Sequence, residues 1–396
     1  MNRPLRVLSL QPYFGGSHLQ FLNGWMEKSR HQWTVLELPA KHWKWRMRHS
    51  AIHFSQQIAQ LQNDNAEAEW DVIFCSDMMN VTELKGMLPK SVRDTPIVLY
   101  FHENQFEYPT QHKHQRDNHL SFTNFISAVS ADQIWFNSRF NFDSMMNGLK
   151  KQTKHWPDYV PDALIDSFES KMQVHAPGID DVPFSDAERN AFTQARQSRS
   201  TKGAPLRLVW AARWEYDKNP QGLLDALILL DQQSVEFEIS VVGQTFGKTP
   251  DPFQKLQQLF PTKILRWGFQ KSRNEYWKAL AEADIFVSTA NHEFFGLSPA
   301  EGIVAGAWPL FPDRLAYPEL LRLATKDPSE LANFLYDGTP QGLCDRIVEI
   351  KNLRSELDCT TVSSLRKRML ENVGWNTRAK LMDSGLDSVV DSNGGD

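Results

Sequence analysis

At 396 residues and a formal charge of −5, the chain is long enough for two domains of ordinary size, each with its own core. Its 41% hydrophobic and 23% charged residues exclude a disordered or fibrous protein, and the acidic balance confines any nucleic-acid contact to a local patch. Three scattered cysteines, Cys75, Cys344 and Cys359, fit neither a disulfide framework nor a zinc site. No apolar run approaches the ~20 residues of a membrane span. The first apolar run, "LRVLSLQPYFGG", is too short for a signal peptide, so the expectation is a cytoplasmic chain.

Short runs rich in Val, Ile, Leu and Phe alternate with helix-length amphipathic stretches. In the first half they predict strands at Leu5–Leu10, Thr34–Leu38, Val72–Cys75, Ile97–Phe101, Gln133–Asn137 and Gln173–Ala176. The second half predicts Arg207–Ala211, Glu238–Val242, Ile264–Trp267, Ile285–Ser288 and Trp308–Phe311. Apolar strands separated by helices imply βαβ units with buried parallel sheets. Between the halves, "APGIDDVPFSDAERNAFTQARQSRSTKGAP" is polar and bounded by Pro and Gly, and is read as a connection with a short helix inside it. The predicted organisation is an N-terminal domain over 1–178, a linker over 179–204, a second domain over 205–374, and a closing helix with a disordered tail over 375–396. That closing helix, which contains Trp375, is expected to return to the first domain. Both domains are α/β and Rossmann-like, facing across a cleft, and ligands of such sheets bind beyond the carboxyl ends of the strands.

The residues that follow the strands are the unusual ones. After the first strand, Gly15 and Gly16 in "QPYFGGSH" suit either a tight turn or a loop that approaches phosphate. "ELPAKHWKWRMRHS" sets Lys41, Lys44, Arg46 and Arg48 among Trp43 and Trp45, which is either a core helix with a solvated face or an RNA-contacting patch. After the fourth strand, His102 and Glu103 begin "HENQ", with Asn104 and Gln105 beside them; a lone histidine there is structural or catalytic. "TQHKHQRDNH" adds Lys113 and Arg116, and its histidines lack the ligands a metal site needs. In the second half, Arg213 and Lys218 precede a helix starting near Asn219–Pro220, an arrangement that clamps a diphosphate or forms a loop salt bridge. Glu293 and Glu301 flank the turn Phe295, Gly296, Leu297 and Ser298 at a helix start. Carboxylates on both sides of such a turn suit recognition of sugar hydroxyls.

Two Rossmann-like domains with Arg213, Lys218 and the Glu293–Glu301 pair resemble the family-4 retaining glycosyltransferases of the GT-B fold. "PYFGGSH", "LPAKHWKWRMR", "YFHENQ" and "FNSRFN", in that order, resemble more narrowly the tRNA-queuosine α-mannosyltransferase group. That resemblance implies transfer of mannose from GDP-mannose to queuosine in a tRNA anticodon. It implies that Arg213 and Lys218 stabilise the departing diphosphate, that Glu293 and the amides of 295–298 hold the hexose, and that Glu301 binds the ribose. It places His102 and Gly15–Gly16 near the donor, backbone at Gly268 and Phe269 near the base, and Lys41–Arg48, Glu103–Gln105, Lys113 and Arg116 near the tRNA. No D-x-D triplet occurs in the chain, which fits a diphosphate held without metal and without a cofactor. The alternatives are a GT-B transferase with a lipid, polysaccharide or small-molecule acceptor, a sugar-nucleotide epimerase, and a non-enzymatic RNA-binding module. The nucleotide base, the hexose and the oligomeric state are not fixed by these residues.

Overall fold

Runs of residues that are apolar on both faces can be satisfied only by strands covered on both sides, and the strands in the interior of each sheet take that form. The computed structural model describes residues 3–65, 68–107, 118–201, 203–245, 247, 249–353 and 359–393. Its first unit, 1–178 with 375–396, contains β1 (Arg6–Phe14), β2 (Gln32–Pro39), β3 (Val72–Ser76), β4 (Ile97–Phe101), β5 (Gln133–Phe136) and β6 (Met172–Val174). They form one parallel sheet in the order β2-β1-β3-β4-β5-β6. Every residue of β3 and β4 is buried, as a doubly covered strand requires. The helices are α1 (Gly16–Lys28), α2 (Trp43–Asp64), α3 (Val81–Met87), α4 (Asn118–Ser130), α5 (Arg139–Thr153) and α6 (Asp162–Asp166).

The second unit, 179–374, repeats the plan with β7 (Leu206–Ala211), β8 (Phe237–Val242), β9 (Ile264–Gly268), β10 (Ile285–Val287), β11 (Trp308–Pro312) and β12 (Leu335–Tyr336). The order is β12-β11-β10-β7-β8-β9, again parallel. Its helices are α7 (Asp186–Thr201), α8 (Pro220–Gln232), α9 (Asp251–Leu259), α10 (Arg273–Ala281), α11 (Leu297–Val304), α12 (Tyr317–Ala324), α13 (Pro340–Asn352) and α14 (Cys359–Val373). The eleven predicted strands are all present within a few residues. The twelfth, β12, has only two residues, too few to show a period.

A final helix, α15 (Trp375–Asn393), packs in the first unit against α1. Its Asp383 accepts hydrogen bonds from Trp25 Nε1 (2.8 Å), Ser29 Oγ (2.8 Å) and the Arg30 N–H (2.9 Å). Trp375 lies against Gly24 and Gly178, where an added Cβ would fall 2.2 Å and 2.1 Å from its ring atoms. Those two glycines are required by close approach of the indole.

Candidate active site

In the second unit the site grows from the carboxyl ends of β7, β9 and β10. β7 delivers Arg213 and a short turn, Tyr216–Lys218. Asn219 then adopts a left-handed conformation (φ 51°), and its side chain caps α8 by accepting the Gly222 N–H at 3.0 Å. Proline at the first helical position completes that start. β10 delivers the segment from Ser288 to Gly296. The two loops are stitched together: Asn291 N–H donates to Asp217 O (2.8 Å), and Thr289 Oγ1 bonds the Lys218 and Asn219 carbonyls. Arg314 holds the same segment by donating to the Asn291 side chain at 2.9 Å.

This stitching brings Lys218 and Glu293 together. Lys218 is only 8% exposed, and its ammonium donates to His292 O (2.7 Å) and lies 3.4 Å from Glu293 and 3.3 Å from Asp217. A buried ammonium needs such partners, because taking it out of water unpaired costs several kcal/mol. Burial, then the positive Lys218, pushes the His292 imidazole down to about 4, so that ring is neutral at physiological pH. Arg213 is about half exposed and sits 3.7 Å from Glu215. Gly296 has φ 97°, a left-handed angle that favours glycine, and it lets α11 start at Leu297 with its amides at the end of the turn. Phe295 is buried, while Leu297 and Ser298 are half-buried.

Glu301 lies one turn into α11, 6% exposed, and is not alone. The Arg273 guanidinium bonds one carboxylate oxygen, and Tyr276 O–H donates to the other at 2.6 Å. Arg273 in turn lies over the Tyr276 and Trp277 rings, 5.0 Å from each. Neither Arg273 nor Tyr276 was singled out from the sequence, although α10 follows the Gly268 loop at the same sheet edge. Gly268 itself has φ 75°, and Phe269 beside it is 71% exposed.

In the first unit, the carboxyl ends of β1, β3 and β4 converge. Gly15 is extended and tight against Ala40, whereas Gly16 needs its left-handed φ of 55° to turn into α1. The His102 ring lies 4.0 Å from that of His18, 4.6 Å from Tyr100 and 4.9 Å from Phe21. Burial, then His18, holds the His102 imidazole well below its usual range, and its covered Nε2 has no hydrogen-bond partner. Asn104 is fully buried: its amide donates to Asn141 and Ser144 and accepts from the Phe106 and Glu107 N–H groups. Gln105 is buried as well, its N–H bonded to Asn124. The Asn104 side chain and the Gln105 N–H thus fix the turn that presents Glu103. Asp77, 2% exposed, is not marked by any motif; its carboxylate accepts the Glu103 N–H at 3.3 Å.

The basic, aromatic stretch opens α2, and its two tryptophans divide. Trp43 packs with Tyr13, Met47, Met78 and Leu120. Trp45 is 58% exposed and stacked on His49, with centroids 5.1 Å apart and planes 9° apart. Lys41, Lys44 and Arg48 are exposed, and Arg46 is half-buried with its guanidinium on Pro39 O. Lys113 and Arg116 lie outside the described residues. Among the described residues, no group of three or more His, Cys, Asp or Glu is placed to hold a metal ion, and no helix is long and apolar enough to cross a membrane.

Residues 6–179 match a family model described as tRNA-queuosine alpha-mannosyltransferase N-terminal, and residues 192–351 match glycosyl transferases group 1. A Drosophila melanogaster protein named tRNA-queuosine alpha-mannosyltransferase is 34% identical over 315 residues, covering 79% of this chain and 81% of that protein. Among solved structures, the N-terminal domain of Candida albicans trehalose-6-phosphate phosphatase superposes with a TM-score of 0.68 at 11% identity, covering 97% of both chains. Anabaena HepE in complex with UDP gives 0.67 at 15%, covering 97% of this chain and 100% of that one. Sucrose-phosphate synthase from Thermosynechococcus elongatus gives 0.67 at 12%, covering 98% and 100%. At such identities these likenesses speak for the fold alone, which is GT-B.

Proposed function

The chain belongs to the tRNA-queuosine alpha-mannosyltransferase family, and on that premise we propose that it transfers mannose from GDP-mannose to queuosine in the anticodon of a tRNA, retaining the anomeric configuration. The observation that carries the reading is the meeting of Lys218 with Glu293 beside the α11 turn: a cation for a departing diphosphate next to a carboxylate for sugar hydroxyls. Arg213 reaches the same diphosphate from the adjoining loop. Glu301, already oriented by Arg273 and Tyr276, takes the ribose hydroxyls, and the exposed Phe269 ring stacks on the base. Charge on the leaving group is neutralised by these side chains and by the amides of 295–298, so the reaction runs without a metal or other cofactor. The acceptor hydroxyl attacks from the face the diphosphate leaves, and the departing phosphate oxygen takes its proton. His102, neutral and with a free nitrogen, orients the hexose.

On the acceptor side, the start of α2 provides the RNA contact. Lys41, Lys44, Arg46 and Arg48 neutralise phosphates of the anticodon arm, and the displayed Trp45 stacks on an unpaired base, worth ~1–3 kcal/mol in other single-strand binders. The reading keeps the enzyme in the cytoplasm with its tRNA. The test is a transfer assay with GDP- and UDP-hexoses and tRNA with or without queuosine, read by the mass of digested nucleosides, with and without EDTA. A hexose-sized gain on queuosine from GDP-mannose alone, insensitive to EDTA, is expected. Tight nucleotide binding with no gain on queuosine would reassign the acceptor.

A further inference from the structure

Asp77 is given no role in the donor site proposed above, and its environment is unusual. It follows β3 directly, as His102 and Glu103 follow the neighbouring β4, with Ser76 paired to Tyr100 in the sheet. The side chain is almost fully buried; Oδ2 accepts the Glu103 N–H at 3.3 Å, and Oδ1 is covered and has no hydrogen-bond partner. A buried carboxyl oxygen left unpaired is costly, and such groups call for a proton or a ligand hydroxyl as partner. Burial, then the charge of Glu103, pushes the Asp77 carboxyl well above the usual carboxylate range. Among the described residues, Tyr100 and His102 at the end of β4 are titratable neighbours, with His18 from α1 4.0 Å from the His102 ring, while α4 contributes the neutral Asn124, whose amide donates to Asp77 O at 3.0 Å.

We infer that Asp77 and Glu103 act together to hold two neighbouring hydroxyls of the acceptor, with Glu103 as the contact and Asp77, bonded to the Glu103 N–H, as its positioning partner. The ligand chemistry is a vicinal diol, as on the cyclopentene ring of queuosine. A carboxylate accepts from one hydroxyl, and a protonated carboxyl behind it keeps the site at a single negative charge. A hexose on the donor carries the same chemistry, but the position of the pair favours the acceptor. It lies in the half of the chain matched by the queuosine-specific model. Met78, next to Asp77, packs against Trp43 at the start of α2, so the basic and aromatic turn adjoins the pair within one unit. An RNA seated on that turn presents its anticodon to Glu103. The inference rests on the queuosine reading above.

The experiment uses the whole chain with Asp77→Asn, which keeps an oxygen for the Glu103 N–H but cannot ionise, and Glu103→Gln as the second variant. Circular dichroism establishes that both fold. Expected in Glu103→Gln is a rise of about tenfold or more in KM for queuosine-containing tRNA, the loss of a charged hydrogen bond, whereas Asp77→Asn, a mimic of the protonated carboxyl, keeps the low-pH KM; affinity for GDP and for tRNA lacking queuosine is unchanged in both. In the wild type that KM rises with pH as the pair loses its shared proton, and in Asp77→Asn this dependence disappears. A wild-type pH profile in Asp77→Asn would overturn the inference, as would a wild-type KM in Glu103→Gln or a parallel loss of binding for both tRNAs. A change confined to the KM for GDP-mannose would assign the pair to the donor instead. Wild-type protein that never modifies queuosine sinks the functional reading itself, and this inference with it.

Discussion

Single side chains set the proposed donor site. Lys218→Ala removes the buried cation that lies near both Glu293 and Asp217, and transfer is expected to fall roughly a hundredfold or more, about 3 kcal/mol of barrier. A single-turnover assay reads this directly, and wild-type turnover would remove Lys218 from the diphosphate site. Glu301→Gln tests a different contact. Tyr276 and Arg273 still hold the side chain, so the expected effect is weaker nucleotide binding with little change in melting temperature, read by calorimetry with GDP. The cations and carboxylates proposed for this site stand out in the sequence because their types and spacing are unusual. Arg273, Tyr276 and Asp77 do not stand out, because what places them beside Glu301 and Glu103 is packing between segments distant in the chain. The division between Trp43 and Trp45 was illegible for a related reason: two residues apart on a helix, they point to different faces, and only the turn of α2 decides which is buried.

Helices and strands follow from period and composition, and the parallel sheets could be read from strand runs buried on both faces. What period does not reveal is where a helix docks. α15 holds the first unit through Asp383, which accepts three hydrogen bonds while 3% exposed. Asp383→Ala leaves Trp25 Nε1 and the Arg30 N–H without their acceptor, and a loss of ~2–4 kcal/mol is expected in a urea melt. Gly24→Ala sets two effects against each other. Alanine gains up to about 1 kcal/mol of helix propensity, but its Cβ would meet Trp375 at 2.2 Å in a packed site where overfilling costs ~1–3 kcal/mol. Net destabilisation is expected. A Gly24→Ala protein as stable as wild type would show that the indole moves aside.

Acid response belongs to the molecule as a whole. Burial, the leading cause in every case, lowers the imidazoles of His31, His102, His175 (to about 3) and His292 (to about 4). His31 Nδ1 accepts the Leu5 N–H at 3.1 Å, a bond lost on protonation of that nitrogen. A folded-state value below the unfolded one means the unfolded chain binds more protons. Stability is therefore complete above about pH 6.5 and lost as pH falls below it, by ~1.4 kcal/mol per pH unit for each such histidine. Melting temperature is expected to drop steeply between pH 7 and pH 5, and a flat profile would mean these rings are hydrated. At the same scale, replacing Lys44, Arg46 and Arg48 together with Gln should lower the salt slope of tRNA binding by about 2–3, leaving GDP affinity unchanged.

The first unit is assembled from two separated pieces of chain, 1–178 and 375–396. During synthesis its face formed by Phe21, Trp25 and Phe74 leaves the ribosome long before α15 exists to cover it. The whole of 179–374 must be made in between, and at ordinary elongation rates that interval is roughly 10–40 s. For that time the nascent unit carries an open aromatic surface, a target for chaperones and for other nascent chains. Released chains stopped at Gly374 should therefore bind a hydrophobic dye and aggregate on standing, and adding a synthetic α15 peptide should suppress both.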